Sequence, residues 1–277
     1  MRSLILLPAL LSFHLPAQDR ASWNEPQRPF QIYGNTYYVG THGLSSVLLT
    51  SPAGHVLIDG ALPESVPQIV EHIRSLGFRV EDVKLIVNSH VHYDHAGGIA
   101  ELQKLSGARV AASRWTAGVM TKGAVPRDDP QFGVIVPIAP VAHVEIIHDG
   151  ETLRAGAVSV TAHFTLGHTP GGTSWTWRSC ENGRCLNLVY ADSLTPVSAD
   201  GFLFTRTHAV DDFHRSYAFL EHTPCEILIT PHPDFSNLFE RLARRSFVDP
   251  SACKALAQSS RELLEKRLAQ ERENPRR

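Results

Sequence analysis

The segment LIVNSHVHYDHAGGIAEL, from Leu85 to Leu102, sets the tightest limit on how this chain can fold. An apolar run, Leu85 to Val87, reads as a buried strand, and Gly97 and Gly98 open a helical pattern further on. Between them stand His90, His92, Asp94 and His95. Alternate residues of extended backbone face the same way, so His90 and His92 can reach one cation. Asp94 and His95 lie where the chain turns towards the helix, beside a second cation position. The chain carries 15 histidines in all, and histidine is the commonest metal ligand.

A catalytic zinc takes three protein ligands and keeps one position open. The cluster gives only two imidazoles to one cation, so the missing donors must come from other strand ends. His168, in TLGHTPGGTSW, and His232, in LITPHP, both follow apolar runs and fall in loops. Such loops display functional side chains on a rigid scaffold. A lone loop histidine is ordinarily just solvated, and His42, His55, His72, His143, His148, His208, His214 and His222 have no comparable partners. His163 lies near His168 but inside a strand run, and reads as a packed residue or as one that supports a ligand from behind.

The rest of the chain supplies a layered scaffold. FQIYGNTYYVGT and SSVLLTSPAGHVLIDG read as hairpins around turn residues. ESVPQIVEHIRSLGF and GGIAELQKLSGA have helical spacing, and RVAAS is a short strand. From Thr121 to Pro140 the chain is rich in Pro and Gly without a period, which predicts a long loop. Strands then run through HVEIIHDGETLRAGAVSVTAHFT, TSWTWRS, LNLVYADS and EILITPHP, with a helix over DFHRSYAFLEHT and another from Ala252 to about Gln270. Strands followed by helices in each half predict an α/β chain with two β layers inside and helices outside, in one domain.

At 277 residues the chain can bury a large core. It is 43% hydrophobic and 19% charged, with a net charge of -2, so nothing electrostatic points to nucleic acid or an anionic membrane as partner. The start, MRSLILLPALLSFHLPAQ, has Arg2, an apolar run from Leu4 to Leu11 and then Ala17. A bilayer span needs about 20 apolar residues, so this pattern predicts a secretory signal peptide over residues 1–17, taking His14 with it. A mature domain of residues 18–277 would then be exported, soluble and periplasmic. There Cys180, Cys185, Cys225 and Cys253 meet an oxidising compartment. Four cysteines allow three pairings. The Asn182-Gly183 turn brings Cys180 to Cys185, leaving Cys225 and Cys253 to tie the last strand to the C-terminal helix. A four-thiolate zinc site is the alternative, with unsuitable spacings.

Taken together, SHVHYDHAGG, GHTPGGTSWTW, YADSLTPVSADG and TPHPDF resemble the metallo-β-lactamase superfamily, and their combination is most similar to the subclass B3 enzymes. The likeness runs from about Trp23 to the C-terminal helix. It implies an αββα sandwich with the active site at one edge between the two sheets. It implies two zinc ions, the first held by His90, His92 and His168, the second by Asp94, His95 and His232. Asp94 would also orient the attacking hydroxide, and Ser193 and Thr195 would hydrogen-bond the substrate carboxylate. The implied substrate is a small β-lactam (a penicillin, cephalosporin or carbapenem). The polar C-terminal helix offers no obvious interface, so a monomer is expected. Within the superfamily, lactonases and glyoxalase II-like thioester hydrolases remain alternatives. Iron-dependent oxidoreductases similar to persulfide dioxygenases share the HxHxDH motif, but export argues against them. Asp192, in YADS, could stand for the metal-bridging aspartate of glyoxalase II-like enzymes. Asp59, in LIDG, reads either as a carboxylate that orients a ligand or as a plain turn residue. Trp23, Phe132 and the run Val134, Ile135, Val136 could wall the cleft or simply pack.

Overall fold

The computed structural model describes residues 20–274; the expected signal peptide lies outside the described residues. Twelve strands form two sheets. The first contains β1 (Phe30–Tyr33), β2 (Thr36–Tyr38), β3 (Val47–Leu49), β4 (His55–Ile58), β5 (Val83–Val87), β6 (Arg109–Ser113) and β7 (Val144–Ile147), in that spatial order. The second contains β8 (Thr152–Ala155), β9 (Val158–Phe164), β10 (Thr173–Glu181), β11 (Arg184–Tyr190) and β12 (Ile227–Ile229), again side by side in sequence order. The helices are α1 (Arg20–Trp23), α2 (Val66–Ser75), α3 (Tyr93–Ala96), α4 (Ile99–Ser106), α5 (Arg114–Lys122), α6 (Ala209–His222), α7 (Leu238–Ala243) and α8 (Ala252–Glu273).

Strands β1 to β4 pair antiparallel through short turns, whereas β4 to β7 are parallel. Parallel neighbours need crossovers, and α2, α4 and α5 provide them. The period of two in each strand sorts side chains between layers. Val47, Leu49, Val56, Ile58, Leu85 and Val87 face the second sheet, where Trp175, Leu188, Ile227 and Ile229 meet them. Leu48, Leu57, Ile86 and Val110 face outwards beneath Ile69 and Ile73 of α2 and Ile99 and Leu102 of α4. On the far side Val189 and Leu228 lie under Phe213, Tyr217 and Leu220 of α6 and Leu256 and Leu264 of α8. The layers are therefore helix, sheet, sheet, helix, as expected. Strands covered on both faces read as nearly continuous apolar runs, which is why LIV and ILI are so evident in the sequence.

Both disulfides join the expected cysteines. Cys180 and Cys185 face each other across β10 and β11, and Asn182 and Gly183 take positive φ between them (50° and 78°). Two consecutive positive φ values fit the tight turn that Asn-Gly favours. Cys225 and Cys253 tie the approach to β12 to α8. Among the described residues no helix is long and apolar enough to cross a membrane.

Three local features differ from the sequence reading. Helix α5 runs into the segment expected to be a loop, so irregular backbone begins at Gly123. Asp94 and His95 precede α4 as expected, but they already lie within α3, a single turn entered from His92 in extended conformation. Helix α7 was not anticipated. Helix α5 carries Gly118 within it and α7 spans only six residues, so their period is weak.

Candidate metal centre

The C-terminal end of β5 carries Asn88, Ser89 and His90 to one edge of the sandwich. Asp59, at the end of neighbouring β4, fixes this segment. Its buried carboxylate accepts from the Ser89 backbone N–H (2.7 Å), the Ser89 hydroxyl (2.6 Å), the Asn88 amide (2.9 Å) and the Tyr190 hydroxyl (2.8 Å). Asp59 holds a left-handed φ of 61°, a strained backbone. It touches none of the six predicted ligands by hydrogen bond; it sets the backbone from which His90 projects. From the other sheet, the Trp175 indole donates to the Asn88 carbonyl (3.0 Å), joining the layers beneath the site.

Ligand atoms of His90, His92 and His168 all lie within 4.8 Å of one another, and the three residues are buried. His168 arrives from the loop between β9 and β10. Each of these imidazoles has its other nitrogen occupied. His90 Nδ1 is 2.7 Å from Asp192 Oδ1, His92 Nε2 is 3.2 Å from Asp129 Oδ2, and His168 Nδ1 is 2.8 Å from the Thr195 carbonyl. Carboxylates and carbonyls only accept, so each of these nitrogens carries the proton and the remaining one presents its lone pair inwards. Gly172 makes room for this: a Cβ there would strike the Asp192 carboxylate.

Asp94 and His95 form a second set with His90, again within 4.8 Å. His232, after β12, joins them: Asp94 Oδ2 is 3.0 Å from His95 Nε2 and 3.3 Å from His232 Nε2. His232 Nδ1 lies 3.3 Å from the Gly43 carbonyl, and the Trp23 ring packs on the imidazole at 5.4 Å between centroids. His95 Nδ1 is buried with no hydrogen-bond partner among the described residues. All six predicted ligands thus face one cleft.

Electrostatics divides the two sets. Burial, reinforced by the neighbouring imidazoles, lowers His90 well below the usual 6.5, and burial with His92 lowers His168 to about 3. Both are neutral near pH 7, the form that binds a metal. Burial opposes ionisation of Asp94, but His95 and His232 outweigh it and hold the carboxyl well below its usual value. Burial likewise opposes charge on His232, yet the Asp94 carboxylate raises it. Burial pushes the Asp192 carboxyl well up from its usual value. Two sets of inward-facing imidazoles, one with a carboxylate, suit a divalent metal that accepts nitrogen and oxygen donors.

Sequence reading missed two residues here. Asp129, fully buried, binds His92, and its Oδ1 also accepts the Gln131 backbone N–H at 2.8 Å. Gln131 places its amide Nε2 3.3 Å from His92 Nδ1 and 3.5 Å from His168 Nε2. Both lie in the non-periodic loop after α5, where turn residues such as Pro126, Pro130 and Gly133 are the visible features. Asp192, weighed as a bridging ligand, instead meets the outer nitrogen of His90. Ser193 and Thr195 lie partly exposed on the loop after β11. Phe132, Val134 and Val136 follow Gln131 as exposed apolar side chains. His163 is packed, bonded to Thr176 and stacked on Phe219.

Residues 39–179 match the sequence model of the metallo-beta-lactamase superfamily. Among solved structures, the chain is similar to the Rm3 metallo-beta-lactamase, with 52% identity and a TM-score of 0.90 over 91% of this chain and 97% of that one. It is also similar to MEM-A1, a subclass B3 metallo-beta-lactamase from a soil metagenome library, with 49% identity and a TM-score of 0.89 over 90% and 98%. A more distant relative is the N-acyl homoserine lactonase AttM of Agrobacterium fabrum, 25% identical over 68% of this chain and 81% of its own length.

Proposed function

The chain belongs to the metallo-beta-lactamase superfamily, and from that premise we propose that it is a zinc-dependent hydrolase of β-lactam antibiotics. One observation carries the reading: two groups of candidate donors meet in one cleft, on a scaffold about half identical to metallo-beta-lactamases over nine-tenths of its length. His90, His92 and His168 would hold the first of two zinc ions, and Asp94, His95 and His232 the second. When bound, such ions supply Lewis acidity, bringing the pKa of a water to about 7.

The chain's own residues do the rest. Asp192, Asp129 and the Thr195 carbonyl keep three imidazoles in the tautomer that presents lone pairs to the cleft. Asp94 sits between two imidazoles with its carboxyl ionised, suited to orienting a nucleophile. Ser193 and Thr195, partly exposed on the loop after β11, would hydrogen-bond a substrate carboxylate. We further assign residues 1–17 as a signal peptide and residues 18–277 as one periplasmic catalytic domain, acting as a monomer. Two disulfides support the exported setting.

The AttM likeness favours a lactone as the second reading, and it is weaker because identity is half as great and coverage lower. Hydrolysis of a chromogenic cephalosporin, with metal analysis and a chelator control, separates the two. The lactamase reading predicts turnover with about two zinc ions per chain and its loss on chelation. Two bound zinc ions with turnover of lactones alone would transfer the assignment to the lactonase class.

A further inference from the structure

The Gln131 side chain has no part in either donor set, yet it is buried and its amide reaches both His92 Nδ1 and His168 Nε2. The chemistry of those atoms fixes which end of the amide faces them. Asp129 takes the proton of His92 Nε2 and the Thr195 carbonyl takes that of His168 Nδ1, so both inward nitrogens are acceptors. An amide oxygen there would face two lone pairs, whereas an NH2 carries one hydrogen for each. Gln131 therefore aims a donor at the mouth of the first donor set.

The placement is built into the backbone. The Gln131 N–H is fixed by Asp129 Oδ1, and its carbonyl accepts from Val134 (3.1 Å) and Ile135 (3.2 Å). The preceding Pro130 carbonyl accepts from Ala199 at 2.8 Å, in the same loop as Ser193 and Thr195. One carboxylate, Asp129, thus orients a predicted ligand and the donor beside it together.

We propose that Gln131 is a substrate-contacting residue: its amide donates to the carbonyl oxygen of the substrate, and to the carboxylate that replaces it in the product, at the first metal position. This rests on the six ligands assigned above, but not on the substrate being a β-lactam, because any carbonyl compound hydrolysed there presents the same oxygen. The exposed Phe132 and Val134 beside Gln131 then meet whatever apolar group flanks that carbonyl.

Acetate, titrated into the cobalt-loaded full-length mature protein and followed by the visible spectrum of the metal, tests this without any turnover. A hydrogen bond to a carboxylate is worth enough that Gln131→Ala and Gln131→Met should bind acetate roughly tenfold to a hundredfold more weakly than wild type. Metal content and metal affinity should stay within about threefold, and Gln131→Asn, which keeps a shorter amide, should fall between. Unchanged acetate affinity in both variants would overturn the proposal. So would metal affinity rising tenfold in Gln131→Ala, since the amide would then be a competitor for the imidazoles. Failure of the lactamase reading would leave this titration unaffected and show only in the cephalosporin assay.

Discussion

His90, His92 and His168 each have their outer nitrogen bonded to an acceptor, the buried Asp192 and Asp129 and the Thr195 carbonyl, with distances of 2.7, 3.2 and 2.8 Å. Across the cleft His95 has no outer partner among the described residues, and His232, with a side chain 23% exposed, has one 3.3 Å bond to Gly43. The first set is fixed before a metal arrives, because rings cannot turn without breaking hydrogen bonds in a dry interior. The second is held chiefly by the charge on Asp94 and by packing of the N-terminal segment on His232. Two sites built from the same residue types therefore differ in preorganisation, and affinity should follow that difference.

Removing one donor from each set gives the largest contrast. His168→Ala should empty the first site and lower hydrolysis by roughly a thousandfold, since metal assistance is worth several kcal/mol. His232→Ala should keep one zinc per chain and lose less activity. Steady-state rates beside metal analysis would read both, and equal losses would break the distinction.

Next come the outer partners. Asp129→Asn and Asp192→Asn keep shape while removing charge, and each should weaken the first zinc about tenfold to a hundredfold. The second zinc should be unaffected in both. A chelator competition on each variant would show whether the loss is confined to one site.

Acidity should separate the regions by sign. In the metal-free protein His90 and His168 titrate below their unfolded value of 6.5. Below that pH the unfolded chain takes up protons that the folded one refuses. Stability should fall from pH 6.5 downwards, each histidine adding up to about 1.4 kcal/mol per pH unit. His232 is raised, so its contribution is complete below 6.5 and lost as pH climbs through its folded value. Denaturant melts should show His168→Gln flattening the acid limb and His232→Gln flattening the neutral-to-alkaline one.

The smallest effect concerns Trp23. Trp23→Ala keeps the backbone contacts to Thr41 and Gly43 but removes the ring from His232. Aromatic contacts of this kind are worth about 1 kcal/mol, so the second zinc should bind about fivefold more weakly and the first unchanged.

The cluster of candidate ligands was legible because the sequence packs four of them into one strand end and its following turn, and sets His168 and His232 after apolar runs. The layers were legible for a similar reason: strands buried on both faces leave continuous Val, Ile and Leu. What the sequence conceals is the outer ring of partners. Asp192 lies 102 residues from His90 and Asp129 37 from His92, and no local period reports such pairings. Thr195 shows another limit: its backbone carbonyl, which no residue type announces, holds His168. Gln131 sits in a segment whose only visible features are turn residues, so its inward aim appears only once Asp129 is folded beneath it.

Competition between the metal-free protein and a chromophoric zinc chelator measures the central contrast most directly. The account predicts two binding steps at least tenfold apart, with the tighter lost in His168→Ala and the weaker lost in His232→Ala. A tighter step that survives His168→Ala but vanishes with His232→Ala would contradict it.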